Sequence, residues 1–266
     1  MASGADLPGF NRVLIWFNDP GNWWGSTGLL AYLREHVIYT AIILVIAMAI
    51  ALPLGLWIGH TGRGILLVGG LANALRAIPS LGLLVLLVVE LSPHIRIGQG
   101  LGPVLAQGSI PYTIPALIVL LLLAIPPILT NTYAGVQATD PAIRDAAAAT
   151  GMRPIQVVFG VELPCALPLV MAGIRSATLQ TIASLTVAAY APLVGGLGRL
   201  IVDGDQDLSD PRFGYPAMVA AAITAAVLAI VADTVLSLVQ RRIVSPGVSG
   251  RYRRSANPSV LVRKAS

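Results

Sequence analysis

The sequence predicts an all-α integral membrane protein with about five transmembrane helices, on three observations. Hydrophobic residues make up 56% of the chain and charged residues only 11%, against about 25% charged in an ordinary soluble domain. Mean hydropathy is +0.80. The apolar residues also gather in runs long enough to cross about 30 Å of hydrocarbon at about 1.5 Å per helical residue. Several such runs within 266 residues leave no room for a sizeable soluble domain. Cys165 is the only cysteine, which excludes an intrachain disulfide and a cysteine-based metal site.

Residues 1–36 are expected to form an extracytoplasmic or interfacial segment. Trp16, Phe17, Trp23 and Trp24 surround Pro20, a pattern that suits aromatic rings at headgroup depth. Asn18, Asp19 and Asn22 interrupt the apolar run too closely for a span. No positive region precedes an apolar run in residues 1–10, so no cleavable signal peptide is expected.

The first span is expected at 37–59 and the second at 65–91. Arg76 and the Pro79-Ser80 pair fall inside the second, so its helix should break near mid-depth. Further spans follow at 113–136, 163–189 and 215–240, which makes 37–244 the transmembrane domain and 245–266 a basic tail. With that tail in the cytoplasm, five crossings place the N-terminus outside and the loops 60–64 and 137–162 inside. Ten basic residues then lie inside (Arg63, Arg144, Arg153, Arg241, Arg242, Arg251, Arg253, Arg254, Arg263, Lys264) and five outside (Arg12, Arg34, Arg96, Arg199, Arg212). This follows the positive-inside rule. The net charge of +5 is thus read as anchorage to membrane lipid; with only Tyr252 among the tail charges, nucleic acid is not an expected partner.

The loop at 137–162 carries the densest set of structural signals. Asp140 caps a helix that Pro141 opens, since the aspartate accepts from a first-turn amide and proline lacks an amide that would go unpaired there. The helix should run to Thr150. Gly151 then supplies a left-handed residue and Pro154 opens the next helix. The alanines at 146–149 keep the surface shallow, which suits entry into a groove on another protein; a loop that merely covers the bundle ends would look similar. Spacing alone leaves both readings open.

Asp145-Ala146-Ala147, Gly151 and Val161-Glu162-Leu163-Pro164 resemble the EAA motif, E-A-A-x3-G-x9-I-x-L-P, of the membrane subunits of ABC importers. Aspartate and valine replace the usual glutamate and isoleucine, and the spacing is intact. Arg76-Ala77-Ile78-Pro79-Ser80-Leu81, Asn131-Thr132-Tyr133-Ala134-Gly135 and the stretch 163–175, from Leu163-Pro164-Cys165 to Gly173-Ile174-Arg175, resemble permeases for glycine betaine, proline betaine, carnitine and choline. The resemblance covers about residues 37–244. It implies a type I importer fold in a bacterial plasma membrane, with a coupling helix seated in a cytoplasmic ABC ATPase dimer. It also implies a second permease subunit, identical or related, and an extracytoplasmic substrate-binding protein. Arg144, Asp145, Ala146, Ala147, Gly151, Leu163 and Pro164 would then couple the chain to the ATPase. Pro192-Leu193-Val194, ahead of Gly195-Gly196-Leu197-Gly198, departs from the Ile-Gly-Ala that family members more often carry.

Enzymatic function is not expected. No Walker A sequence is present and the only lysine is Lys264 in the tail, so no residue here fills the P-loop role; ATP and magnesium belong on the partner ATPase. No cofactor is expected on this chain, and His36, His60 and His94 are too scattered for a metal site. Asp203-Gly204-Asp205-Gln206-Asp207 resembles the start of a calcium loop. Leu208 and Gly214 occupy the positions that need glycine and glutamate, so it reads as a solvated outer loop. Within the spans, Ser176, Gln180 and Ser184 fall at i, i+4 and i+8 with Thr181 adjacent, either gluing helices together or, with Arg76 and Ser80, lining a translocation path. Arg175 is expected to pair with Glu162 or a lipid headgroup, and Asp233 to lie at an inner helix end. The runner-up functions are an ABC permease for methionine, taurine or another small solute and, against the absence of an internal repeat, an ion-coupled carrier. A membrane scaffold or regulatory sensor would carry no substrate flux.

Overall fold

A computed structural model of the chain describes residues 9–95, 110–191 and 194–245. Among these, every regular element is helical. An amphipathic helix, α1 (Gly9–Asn18), leads through a short turn into α2 (Leu29–Thr61). The chain then forms α3 (Ile65–Ala77), α4 (Ser80–Leu91) and the long α5 (Ile110–Gln137). Two short helices, α6 (Pro141–Ala149) and α7 (Pro154–Val157), precede α8 (Leu163–Ala188). A last pair, α9 (Leu197–Gln206) and α10 (Gly214–Ile243), completes the described fold.

Among the described residues, four helices are long and apolar enough to cross a membrane alone: Leu29–Thr61, Pro111–Gln137, Pro154–Ala188 and Gly214–Ile243. The expected second span is instead two shorter helices, as Arg76 and Pro79 suggested. Pro79 holds the preceding residue extended, with Ile78 at ψ 129°, and cannot continue the hydrogen bonding of α3. α4 closes against the start of α5, where Ser92 donates to the Pro111 carbonyl at 2.9 Å. The broken pair therefore returns the chain to the end from which α2 set out.

α5 is the centre of the bundle. In its most apolar stretch 61% of residues are buried, against 17% for α10 at the edge. It packs between α2 and α8 through backbone approaches too close for larger residues. A Cβ added at Gly59 would lie 2.5 Å from Cβ of Val136, and one at Gly55 would lie 2.6 Å from Cβ of Thr132. On the other side, a Cβ at Gly173 would meet the Pro127 carbonyl at 2.7 Å. Small residues at such crossings let membrane helices gain packing that hydrophobicity alone does not provide in lipid.

Two expectations need correction at the end of the bundle that holds α1 and α9. The first long helix begins at Leu29, eight residues before the expected 37, because its polar opening turns are satisfied by tertiary contacts. Glu35 accepts from the Gly196 amide at 3.0 Å, and His36, fully buried, lies 3.2 Å from both the Leu197 amide and the Ile182 carbonyl. Of the N-terminal aromatic residues, Trp16 is buried with Leu29, Leu200 and Ala217, whereas Trp24 is exposed. Residues 203–206 are the last turn of α9 rather than a loop, with Asp203 paired to Arg199 and Gly204 tight beneath the Gly214 carbonyl. Asp205, Gln206 and Asp207 are nonetheless exposed. The departure at Pro192-Leu193, Arg96, and the tail charges from Arg251 to Lys264 lie outside the described residues.

Candidate functional site

The opposite end of the bundle gathers the C-terminal ends of α2 and α5, the helix α6, and the start of the α7–α8 rod. α6 forms where its cap chemistry requires. The Ala142 amide donates to Oδ1 of Asp140 at 2.9 Å, and Pro141 occupies the first turn. It ends in two reverse bonds, Gly151 to the Ala148 carbonyl at 2.9 Å and Met152 to the Ala147 carbonyl at 3.3 Å. Gly151 sits at φ +84°, which closes this motif without the strain a side chain would add.

One face of the elbow is open. Ala142, Ile143, Asp145, Ala146, Ala148 and Ala149 are exposed on α6, as are Ile155 and Phe159 on the rod beside it. Ala147 alone among the alanines is buried, against the body. Asp145 makes no ion pair among the described residues. The surface is therefore a shallow ridge of methyl groups with apolar flanks and one free carboxylate.

The inner side of the elbow is ionic. Glu162 has no exposed surface, and His60 at the end of α2 donates through Nδ1 to its oxygens at 3.0 and 3.1 Å. Arg144 reaches inward from α6, its Nε 3.1 Å from Oε1 of Glu162, within ion-pair reach but off the line of a hydrogen bond. Its terminal amine donates to the Val136 carbonyl in the last turns of α5. The guanidinium thus faces the body of the protein and not the open ridge.

Glu162 stands at the end of a π turn, 158–162, that joins α7 to α8. Pro164 has no amide to offer the Gly160 carbonyl, and the Leu163 amide bonds to the Val158 carbonyl five residues back. Leu163 packs beside Leu56, Val136 and Val170, while Pro164 is exposed. The Leu-Pro pair therefore shapes the join between elbow and span.

The expected pairing of Arg175 with Glu162 does not occur. Both lie on one rod, 13 positions apart, so a rise of about 1.5 Å per residue puts them roughly 20 Å apart. Arg175 instead grips Asp233 of α10 through two bonds of 2.8 Å, with Gln240 at 3.4 Å. Each of the paired side chains keeps about a third of its surface open, at 32% and 34%. On the same helix Ser176 is exposed and Gln180 and Ser184 half-buried, whereas Thr181 is buried and donates to the Ala177 carbonyl at 2.8 Å. Ser184 and Ser80 line one narrow cleft with Leu84 and Leu120. The side chain of Arg76 lies outside the described residues.

His60 was not singled out by sequence reasoning as part of this site. Its signal was an ionisable residue at the end of an apolar run, with a second, Glu162, entering another; such groups in a membrane protein demand partners.

Comparisons with known proteins show the family and the fold. A family described as the binding-protein-dependent transport system inner membrane component matches residues 48–245. The choline transport system permease protein of Bacillus subtilis is 30% identical over 83% of this chain and 90% of its own. A carnitine transport permease protein of Listeria monocytogenes is 33% identical over 78% of this chain and 82% of its own. An osmoprotectant import permease protein of Salmonella typhimurium is 32% identical over 84% and 95%, respectively. Among solved structures, an inward-facing methionine ABC transporter aligns over 82% of this chain and 96% of its own, with a TM-score of 0.64 and 20% identity.

Proposed function

Because the chain belongs to the family of binding-protein-dependent transport system inner membrane components, we propose that it is the permease subunit of an ATP-driven importer of small quaternary-ammonium osmoprotectants. Glycine betaine, proline betaine, carnitine and choline are the solutes meant. The substrate class follows the choline, carnitine and osmoprotectant permeases to which the chain is similar. The likeness to a methionine transporter, at 20% identity, carries the fold alone.

The observation that carries the mechanism is the capped helix α6 with its exposed ridge. A short helix of alanines, fixed at both ends and open on one side, is built to be gripped. It docks into a cytoplasmic ABC ATPase dimer, which hydrolyses ATP with magnesium on its own residues. Asp145 and Ala146 present the docking surface with Ala148 and Ala149, Ala147 seats the helix against the body, Gly151 closes the turn, and Leu163 with Pro164 passes movement into α8. Arg144 acts from the inner side. This end is then cytoplasmic and the N-terminus extracytoplasmic, where a binding protein delivers the solute.

The translocation path runs along α8. A charged pair with a third of its surface open is costly against lipid, so the Arg175–Asp233 side faces water or protein. Ser176, Gln180 and Ser184 form a second polar stripe, turned about 100–180° round α8 from Arg175, and Ser184 meets Ser80 of the broken span, which also carries Arg76. A second permease subunit, the same chain or a related one, closes the path, and lipid covers the apolar outer faces of α2 and α10.

The test is uptake by liposomes holding the permease, its ATPase and its binding protein. ATP-dependent accumulation of labelled choline, carnitine or glycine betaine is expected. Accumulation of methionine in their place would overturn the substrate class, uptake without the ATPase would favour an ion-coupled carrier, and no flux at all would leave a scaffold or sensor.

A further inference from the structure

α6 is distant from α2 along the chain, with 79 positions between Thr61 and Asp140. The Glu162 cluster nonetheless ties the two together. One buried carboxylate receives His60 from the end of α2 and Arg144 from α6, while the same guanidinium holds the Val136 carbonyl of α5. Glu162 itself is the first residue before α8. Four segments therefore meet through the side chains of Glu162, Arg144 and His60 and the backbone of Val136.

We propose that Glu162, Arg144 and His60 form a strut that carries displacement of α6 to α2 and α5, so that the three are positioning residues for coupling. The proposal rests on the reading of α6 as the ATPase-docking helix. Stability is a poor explanation for the cluster, because a buried ion pair is often matched or bettered by apolar residues of similar volume. Apolar contacts at this junction, as between Leu56, Val136 and Leu163, are non-directional. Those of a carboxylate held between a hydrogen-bonded imidazole from one element and an ion-paired guanidinium from another are not. Losing either contact takes a partner from a carboxylate that has no exposed surface, so α2 and α6 move together or the cluster opens at a penalty. The π turn beneath Glu162 adds a point where the rod gives while the strut holds.

The experiment measures solute accumulated per ATP hydrolysed in liposomes with the complete transporter. Glu162→Gln and Arg144→Met are each expected to lower that ratio on the order of tenfold, within the range that coupling between distant sites spans. The double variant should be no worse than either single change, since all remove one linkage. A structural role would reduce the amount of assembled complex and leave the ratio untouched. A normally assembled Glu162→Gln or Arg144→Met complex with the wild-type ratio overturns the strut. Should Glu162→Gln fail to assemble, Arg144→Met decides, because Arg144 keeps 27% of its side chain exposed on a surface helix. Gly151→Val in the same assay separates the two readings. If it lowers the ratio while the strut variants do not, only the strut falls; if it too leaves the ratio unchanged, the docking reading falls with it.

Discussion

Arg175 of α8 and Asp233 of α10 face each other as a parallel fork, Nε to one carboxylate oxygen and a terminal amine to the other, both at 2.8 Å. The pair lies within two spans, yet about a third of each side chain is open. Two-pronged arginine–carboxylate contacts are geometrically demanding as well as strong. Arg175→Met leaves Asp233 without its counter-ion, and Asp233→Leu strands the guanidinium. Each single variant should melt at a lower temperature in detergent than the wild type. The double variant, with neither charge to strand, should recover most of the loss. Single variants as stable as the wild type would show that the pair sits in water and matters little to the fold.

Gly59 and Gly55 decide how closely α2 approaches α5. With Val136 only 2.5 Å from an added Cβ, Gly59→Ala must push the helices apart. Overpacking of this kind costs about 1–3 kcal/mol. The control is Gly70 in α3, where a Cβ meets nothing within 4 Å and alanine is the better helix former. Thermal melting should separate the two, with Gly59→Ala lowered and Gly70→Ala unchanged or raised. Equal melting points would refute the tight crossing.

Much of this architecture was legible because it is local. Asp140-Pro141 and Gly151 mark the two ends of α6 by cap chemistry that acts within four residues, and Pro79 breaks the second span through its own ring. What escaped depends on distant partners. Glu35 and His36 look like a polar approach to a span until Gly196 and Leu197 bind them, 161 positions away. Asp203-Gly204-Asp205 has the composition of a loop, and its helix survives through Arg199 and the fit under Gly214. His60 and Glu162 are 102 positions apart, and no periodicity connects them.

His36 is the hub of the end opposite the elbow. The Leu197 amide donates to Nδ1, which leaves Nε2–H to donate to the Ile182 carbonyl, both at 3.2 Å. A leucine of similar bulk would leave a buried amide and a buried carbonyl without partners, at about 1–3 kcal/mol for each. His36→Leu should therefore lower the melting temperature and expose the start of α9 to protease. Wild-type resistance to cleavage near Gly196 would show that the loop is held by packing alone.

Gly151 tests the elbow by conformation and not by contact. A Cβ there meets nothing within 4 Å, so no steric clash blocks a side chain. The backbone does resist, because φ +84° is a left-handed geometry that β-branched residues adopt only under strain. Gly151→Val must either pay about 1–3 kcal/mol of strain or open the reverse bonds to Ala147 and Ala148. Gly151→Asn tolerates the left-handed region much better and should retain them. ATP-driven uptake is accordingly expected to fall in the order glycine, asparagine, valine, with the transmembrane bundle and its melting temperature little changed, since α6 lies outside the spans. Uptake that fell equally for asparagine and valine would mean that an added side chain obstructs the docked partner, and that the left-handed turn is not what the position requires.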